Sequence, residues 1–227
     1  MKQKKTYSKD SINKKQENWL AKHTYRKIAN PIAVYLAKIN ATSVQVSIFS
    51  IITSIIACLY FSKGDWKSLA IGYVFFQITI ILDHVDGAVA RYTNNQTMVG
   101  SWFDKFSNKL YRFLFVLGVT LGVYKTTGDP FYLILGNISG FLWIFALYIS
   151  ETKRIFFKFK DDITLFKESG NRQIFPFTLI VSNIFGILVL SNNPAAALWF
   201  VAIISLNAFQ QIYSAHKYWS KEKYVKL

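Results

Sequence analysis

Carboxylates stand out in this chain because the segments around them avoid charge. Asp83-His84-Val85-Asp86-Gly87-Ala88-Val89-Ala90-Arg91 closes one apolar run, and Gly100-Ser101-Trp102-Phe103-Asp104 answers it shortly after. An acid within or at the edge of a membrane span is expensive, which makes it a functional candidate. On a helix Asp83 and Asp86 lie at i and i+3, and Gly87 and Ala90 follow at i+4 and i+7 of the same face. Two oxygen ligands flanked by almost no side chain would let a bulky polyanion approach the backbone. Arg91 ends the run with a planar, always-charged donor suited to phosphate. Gly100, Asp104 and Asn108 then recur at every fourth residue and make a second stripe. Carboxylates and water are the usual ligands of Mg²⁺, which also takes phosphate oxygens from its substrate. Asp83, Asp86 and Asp104 could therefore hold one or two Mg²⁺ ions, or Mn²⁺ in their place, for metal-assisted work on a phosphate ester.

Simpler readings exist. The acids could serve a transporter as an ion or proton site, or pair with Lys105, Lys109 or Arg112 across helices. Gly87 and Gly100 could be close-packing glycines between membrane helices. His84, at i+1 from Asp83, points to another face and reads as a packing or interfacial histidine.

The elements that must position these residues are helices. The chain has 227 residues, 52% of them hydrophobic and 17% aromatic, which suits a membrane protein if its apolar runs are long enough. They are. Six stretches reach spanning length, at about 42–61, 66–91, 100–124, 130–150, 172–190 and 195–213, joined by short links at 63–65, 125–129 and 191–194. Ahead of them lies a Lys-rich tail, then an amphipathic interfacial helix from about Glu17. Leu20, Ala21, Tyr25, Ile28 and Ile32 share one face of it, Lys22, His23 and Arg26 the other, and Pro31 breaks or restarts it. The fold expected is an all-α membrane protein of six transmembrane helices after an amphipathic helix. Residues 1–40 form the tail and interfacial helix, 41–215 the six-helix catalytic domain and 216–227 a basic tail.

Charge sets the orientation. The net charge is +15, and 21 of the 27 Lys and Arg fall before residue 41, at Arg91, in 151–172 or after 213. By the positive-inside rule both termini and the acid-rich stretch face the cytoplasm. This accounts for the basic excess without nucleic acid. The first 40 residues are too polar for a signal peptide. Cys58 is the sole cysteine, so no intramolecular disulfide can form.

The spacing Asp-x2-Asp-Gly-x2-Ala-Arg-x8-Gly-x3-Asp resembles the signature of the CDP-alcohol phosphotransferases, integral membrane enzymes of phospholipid synthesis. The resemblance implies transfer of a phosphate-linked alcohol from a CDP donor to an acceptor hydroxyl, with release of CMP, and often a homodimer. It implies that Asp83, Asp86 and Asp104 are metal ligands, that Asp86, Gly87, Ala90, Arg91 and Gly100 form the nucleotide-binding surface, and that Asp104 and position 108 are catalytic. Position 108 departs from the pattern. The family has a fourth aspartate there, resembling a base, whereas an amide cannot usefully take a proton at neutral pH. Asn108 is then a substitution that traps substrate, a natural variant in which another group or a metal-bound hydroxide is the base, or the mark of a catalytically silent relative. A Pro-Asn pair usual at the start of the first span is also missing, where this chain reads Thr42-Ser43-Val44-Gln45-Val46-Ser47. Lys105, Arg112, Lys153 and Arg154 are placed to meet a phosphorylated acceptor. Both CDP-diacylglycerol with a small alcohol or its phosphate and CDP-choline or CDP-ethanolamine with a lipid hydroxyl fit the resemblance, and the deep basic residues favour the former. A non-catalytic CDP-lipid binding protein or transporter is the alternative.

Overall fold

The computed structural model describes residues 21–156, 177–191 and 193–206, with isolated positions up to 216. The tail before Ala21, the Phe156–Lys160 aromatic segment beyond its first residue, Arg172 and the C-terminal tail lie outside the described residues, as do the side chains of Lys153 and Arg154.

Every described element is helical. A π-helical turn, Ala21–Tyr25, leads into α1 (Arg26–Lys38), followed by α2 (Ser43–Phe61), α3 (Trp66–Tyr92), α4 (Met98–Thr127), α5 (Phe131–Phe156), α6 (Phe177–Leu190) and α7 (Ala195–Ser205). Three of them, Ser43–Phe61, Trp66–Tyr92 and the Phe131–Thr152 stretch of α5, are long and apolar enough to cross a membrane. α4 is longer still, but Asp104, Lys105, Lys109 and Arg112 crowd its first half. One expectation is corrected: α1 does not break at Pro31 but runs through it. Its small residues Ala29, Ala33 and Ala37 are buried where α1 packs on α3.

The helix starts are set locally. Thr42 and Gln45 make a capping box: Gln45 N–H donates to Thr42 Oγ1 at 3.2 Å, and Thr42 N–H donates to Gln45 Oε1 at 2.8 Å. Asp65 caps α3 by accepting from Ser68 N–H at 3.0 Å, and Thr97 caps α4 by accepting from Gly100 N–H at 3.0 Å.

α2 is the centre of the packing. It lies extensively against both α3 and α4, which touch each other little. Close approach requires glycine on α4. A β-carbon on Gly122 would sit 2.2 Å from the Phe61 carbonyl oxygen, and one on Gly118 would sit 2.7 Å from that of Cys58. Gly64, at φ +80°, turns the chain between α2 and α3, with room for a β-carbon only 2.6 Å from the Gly122 carbonyl oxygen. An aromatic cluster of Phe61, Phe76, Phe115 and Phe185 fills the core between these helices. The acid-bearing ends of α3 and α4 are thus held by α2, which stands between them.

Candidate active site

The two acidic stripes are brought together at one end of the bundle. A pocket of about 310 Å³ is lined by Asp86, Gly87, Ala90 and Arg91 from α3 and by Gly100, Ser101 and Asp104 from α4. Gln96 and Thr97 close it from the link between those helices, and Ser43 and Ser47 line it from α2. All five residues expected on a nucleotide surface therefore share one cavity.

Asp86 is the most enclosed of the acids, at 1% exposure. Its Oδ2 accepts from Ser47 Oγ at 2.6 Å, and its Oδ1 accepts from the Gly87 N–H. The charges of Asp83 and Asp104 both act on it. Asp83 is not among the residues lining the pocket, and its Oδ1 accepts from Asn108 Nδ2 at 2.9 Å. The Arg91 guanidinium folds back over Gly87, where a β-carbon would lie 3.2 Å from Nη1. Gly100 performs the matching service on α4, because a β-carbon there would meet Ser43 Oγ at 3.3 Å.

The donor set suits a hard divalent cation. Three carboxylates from two helices repel one another across a partly dry site, and a cation would offset that repulsion. As the side chains stand, no group of three carboxylate, imidazole or thiol ligands among the described residues converges on one ion position. Asp83 is drawn to Asn108 and Asp86 to Ser47, so loading would require these side chains to rotate.

The basic residues of α4 are engaged elsewhere. Lys105 Nζ lies 3.1 Å from Glu151 Oε1, and Lys109 Nζ binds Glu151 Oε2. Arg112 is buried over the Tyr111 ring and donates through Nη1 to the Asn108 carbonyl oxygen at 2.8 Å. None of Lys105, Asn108 and Arg112 lines the pocket. His84 stacks on Tyr25, with ring centroids 5.1 Å apart, and its Nδ1 lies 2.9 Å from the Ile80 carbonyl oxygen, so it is a packing residue.

The residues 40–166 match the family model described as CDP-alcohol phosphatidyltransferase. The chain belongs to that family. It is a family of transferases, and the chain is a membrane protein. One curated relative is the bifunctional IPC transferase and DIPP synthase of Aquifex aeolicus (strain VF5), 27% identical over 122 residues, or 53% of this chain. The match spans about a quarter of that relative's length, 27%. Among solved structures, phosphatidylinositol phosphate synthase of Mycobacterium tuberculosis with CDP-DAG bound superposes with a TM-score of 0.61 at 20% identity, covering 82% of this chain and 92% of that one. The same protein in complex with manganese and citrate gives 0.56 at 20% identity, covering 82% and 87%. At these identities the likeness is one of fold. A CDP-linked lipid and a divalent metal are thus both found on this fold.

Ser43, Ser47, Gln96, Thr97 and Ser101 were not anticipated from the sequence. For the serines a signal existed. Thr42-x-x-Gln45 is a capping-box spacing, and Ser43, Ser47, Ser50 and Ser54 recur at helical intervals. The stretch without the Pro-Asn pair is therefore a capped helix start that sends two hydroxyls to the pocket.

Proposed function

We propose that this chain is a multi-pass membrane enzyme that transfers a phosphate-linked alcohol from a CDP donor, with CDP-diacylglycerol favoured, to an acceptor hydroxyl. The observation that carries the reading is the gathering of Asp86, Asp104, Gly87, Arg91 and Gly100 around one pocket. α4, α6 and α7 complete six spans with the three long apolar helices, and the amphipathic segment ending in α1 lies in the interface. Both termini and the site face the cytoplasm, a reading supported by the distribution of basic residues.

The donor's pyrophosphate would rest on Gly87 and Gly100, where small residues admit it to the backbone, with Arg91 pairing its oxygens. Ser43, Gln96, Thr97 and Ser101 offer neutral hydrogen bonds to the rest of the nucleotide. The acceptor oxygen attacks the phosphorus next to the alcohol in line, a new P–O bond forms as the hydroxyl proton passes to a nearby carboxylate or to water, and the bond to the CMP phosphate breaks, with CMP leaving. A divalent cation, Mg²⁺ or Mn²⁺, held by Asp83, Asp86 and Asp104 supplies neutralisation of the phosphate charge when bound. Ser47 donates to Asp86, Asn108 to Asp83 and Arg112 to the Asn108 carbonyl, and on loading the two acids would exchange those contacts for the cation. Lipid chains would reach the site sideways between helices.

The test is CMP release by the full chain in detergent micelles with Mg²⁺ or Mn²⁺, CDP-diacylglycerol and a panel of alcohols. Asp83→Asn should abolish turnover, and unchanged release would rule out this site. A second reading, a CDP-lipid binding protein without turnover, is favoured by one contact, the Asn108 amide donating to Asp83 at 2.9 Å where the family's acid would stand. Binding of CDP compounds without CMP release, even after Asn108→Asp, would select it.

A further inference from the structure

Lys105 follows Asp104 and Lys109 follows Asn108, so the two lysines stand at the shoulder of the α4 acid stripe, on the side that meets α5. There they do not wait for an outside anion. Glu151 of α5 sits between them, with Oε1 3.1 Å from Lys105 Nζ and Oε2 on Lys109 Nζ. The Glu151 carboxylate is 17% exposed and Lys109 22%, whereas Lys105 is 45% exposed, so it is the Glu151–Lys109 contact that is largely withdrawn from water. Arg112, 7% exposed, donates through Nη1 to the Asn108 carbonyl and lies over the Tyr111 ring, with its Nε left without a hydrogen-bond partner. A phosphate monoester brings about −1.5 to −2 charges. To use these lysines it would have to evict Glu151, and otherwise it would add a second phosphate to a site already charged by the donor's pyrophosphate. An uncharged alcohol meets neither obstacle.

We propose that Glu151 selects the acceptor by charge: it is an internal anion that fills the lysine pair beside the acid stripe, so the acceptor is an uncharged alcohol and not a phosphorylated one. The inference rests on the transferase reading above.

The experiment uses the full chain in micelles with CDP-diacylglycerol and Mg²⁺ or Mn²⁺. CMP release is compared for matched acceptors, glycerol against glycerol 3-phosphate and inositol against inositol 1-phosphate. The unphosphorylated partner should win in kcat/KM by about tenfold or more, and Glu151→Gln should move the ratio toward the phosphorylated partner by about tenfold, the worth of one charge-assisted contact. Calorimetry with glycerol 3-phosphate alone gives a readout without turnover. Its affinity should tighten about tenfold in Glu151→Gln and fall back when Lys109→Ala is added. Preference of the unaltered chain for phosphorylated acceptors, or an affinity unchanged by Glu151→Gln, overturns the proposal. If no acceptor supports CMP release although CDP-diacylglycerol binds, the transferase reading fails, and the calorimetry still decides whether Glu151 holds the lysines against anions.

Discussion

Replacing Asn108 by aspartate tests the site more sharply than deleting any acid. The Asn108 Nδ2 to Asp83 Oδ1 bond of 2.9 Å would become a contact between two carboxylates. Losing a hydrogen bond to a charged acceptor costs about 1.5–3 kcal/mol. Two like charges at that separation add at most about 6 kcal/mol at an effective dielectric constant of about 20, before the side chains rotate apart. A net loss of about 2–4 kcal/mol would lower Tm by about 4–16 °C for a chain of this size. The assay is thermal unfolding in micelles, with EDTA and then with Mn²⁺ or Mg²⁺. Without cation, Asn108→Asp should melt well below the unaltered chain. With cation it should recover more than the unaltered chain gains, because a fourth carboxylate then has a charge to face. CMP release measured alongside would show whether the base position had been restored. Equal melting without cation, or no larger cation effect in the substituted chain, would refute the picture of Asn108 as the donor that keeps Asp83 in place.

Two other substitutions separate binding from packing. Gly87→Ala pushes a methyl group to 3.2 Å from Arg91 Nη1. That guanidinium can give by a few tenths of an ångström, so Tm should hardly change, while affinity for CDP-diacylglycerol should fall about tenfold as phosphate loses its approach to the backbone. Isothermal titration would check this. Gly122→Ala meets backbone, with its β-carbon 2.2 Å from the Phe61 carbonyl oxygen. The α2–α4 contact cannot close around it, so a loss above about 4 kcal/mol is expected, seen as failure to give a monodisperse peak on gel filtration.

Much of this protein was legible in its residues. Apolar runs at spanning length placed α2, α3 and α5 to within a few residues, except that α5 continues to Phe156, and the repeat of Gly100, Asp104 and Asn108 put all three on one side of α4. The acids were identifiable because charge is costly in such surroundings, so each must have a use. Local chemistry also specifies the Thr42–Gln45 cap, in the stretch where the family's usual Pro-Asn pair is missing. Pro31 misled because a proline inside a helix removes one hydrogen bond, and α1 makes up for it by packing three alanines on α3.

What the sequence determined by itself was the all-helical class, the extents of α2 and α3 with most of α5, and the two stripes that carry the acids. Periodicity and burial cost act within a helix, so neighbours in the chain suffice to express them. The tertiary structure decided who stands beside those stripes. Ser43 and Ser47 reach the pocket only because α2 stands between α3 and α4, and Ser47 then meets Asp86 from 39 positions away. Lys109 meets Glu151 of α5 from 42 positions away, an ion pair between helices that no local pattern announces. Such contacts depend on how helices dock, and docking is settled by side-chain shape and glycine clearance across the bundle, which no single stretch of the chain contains.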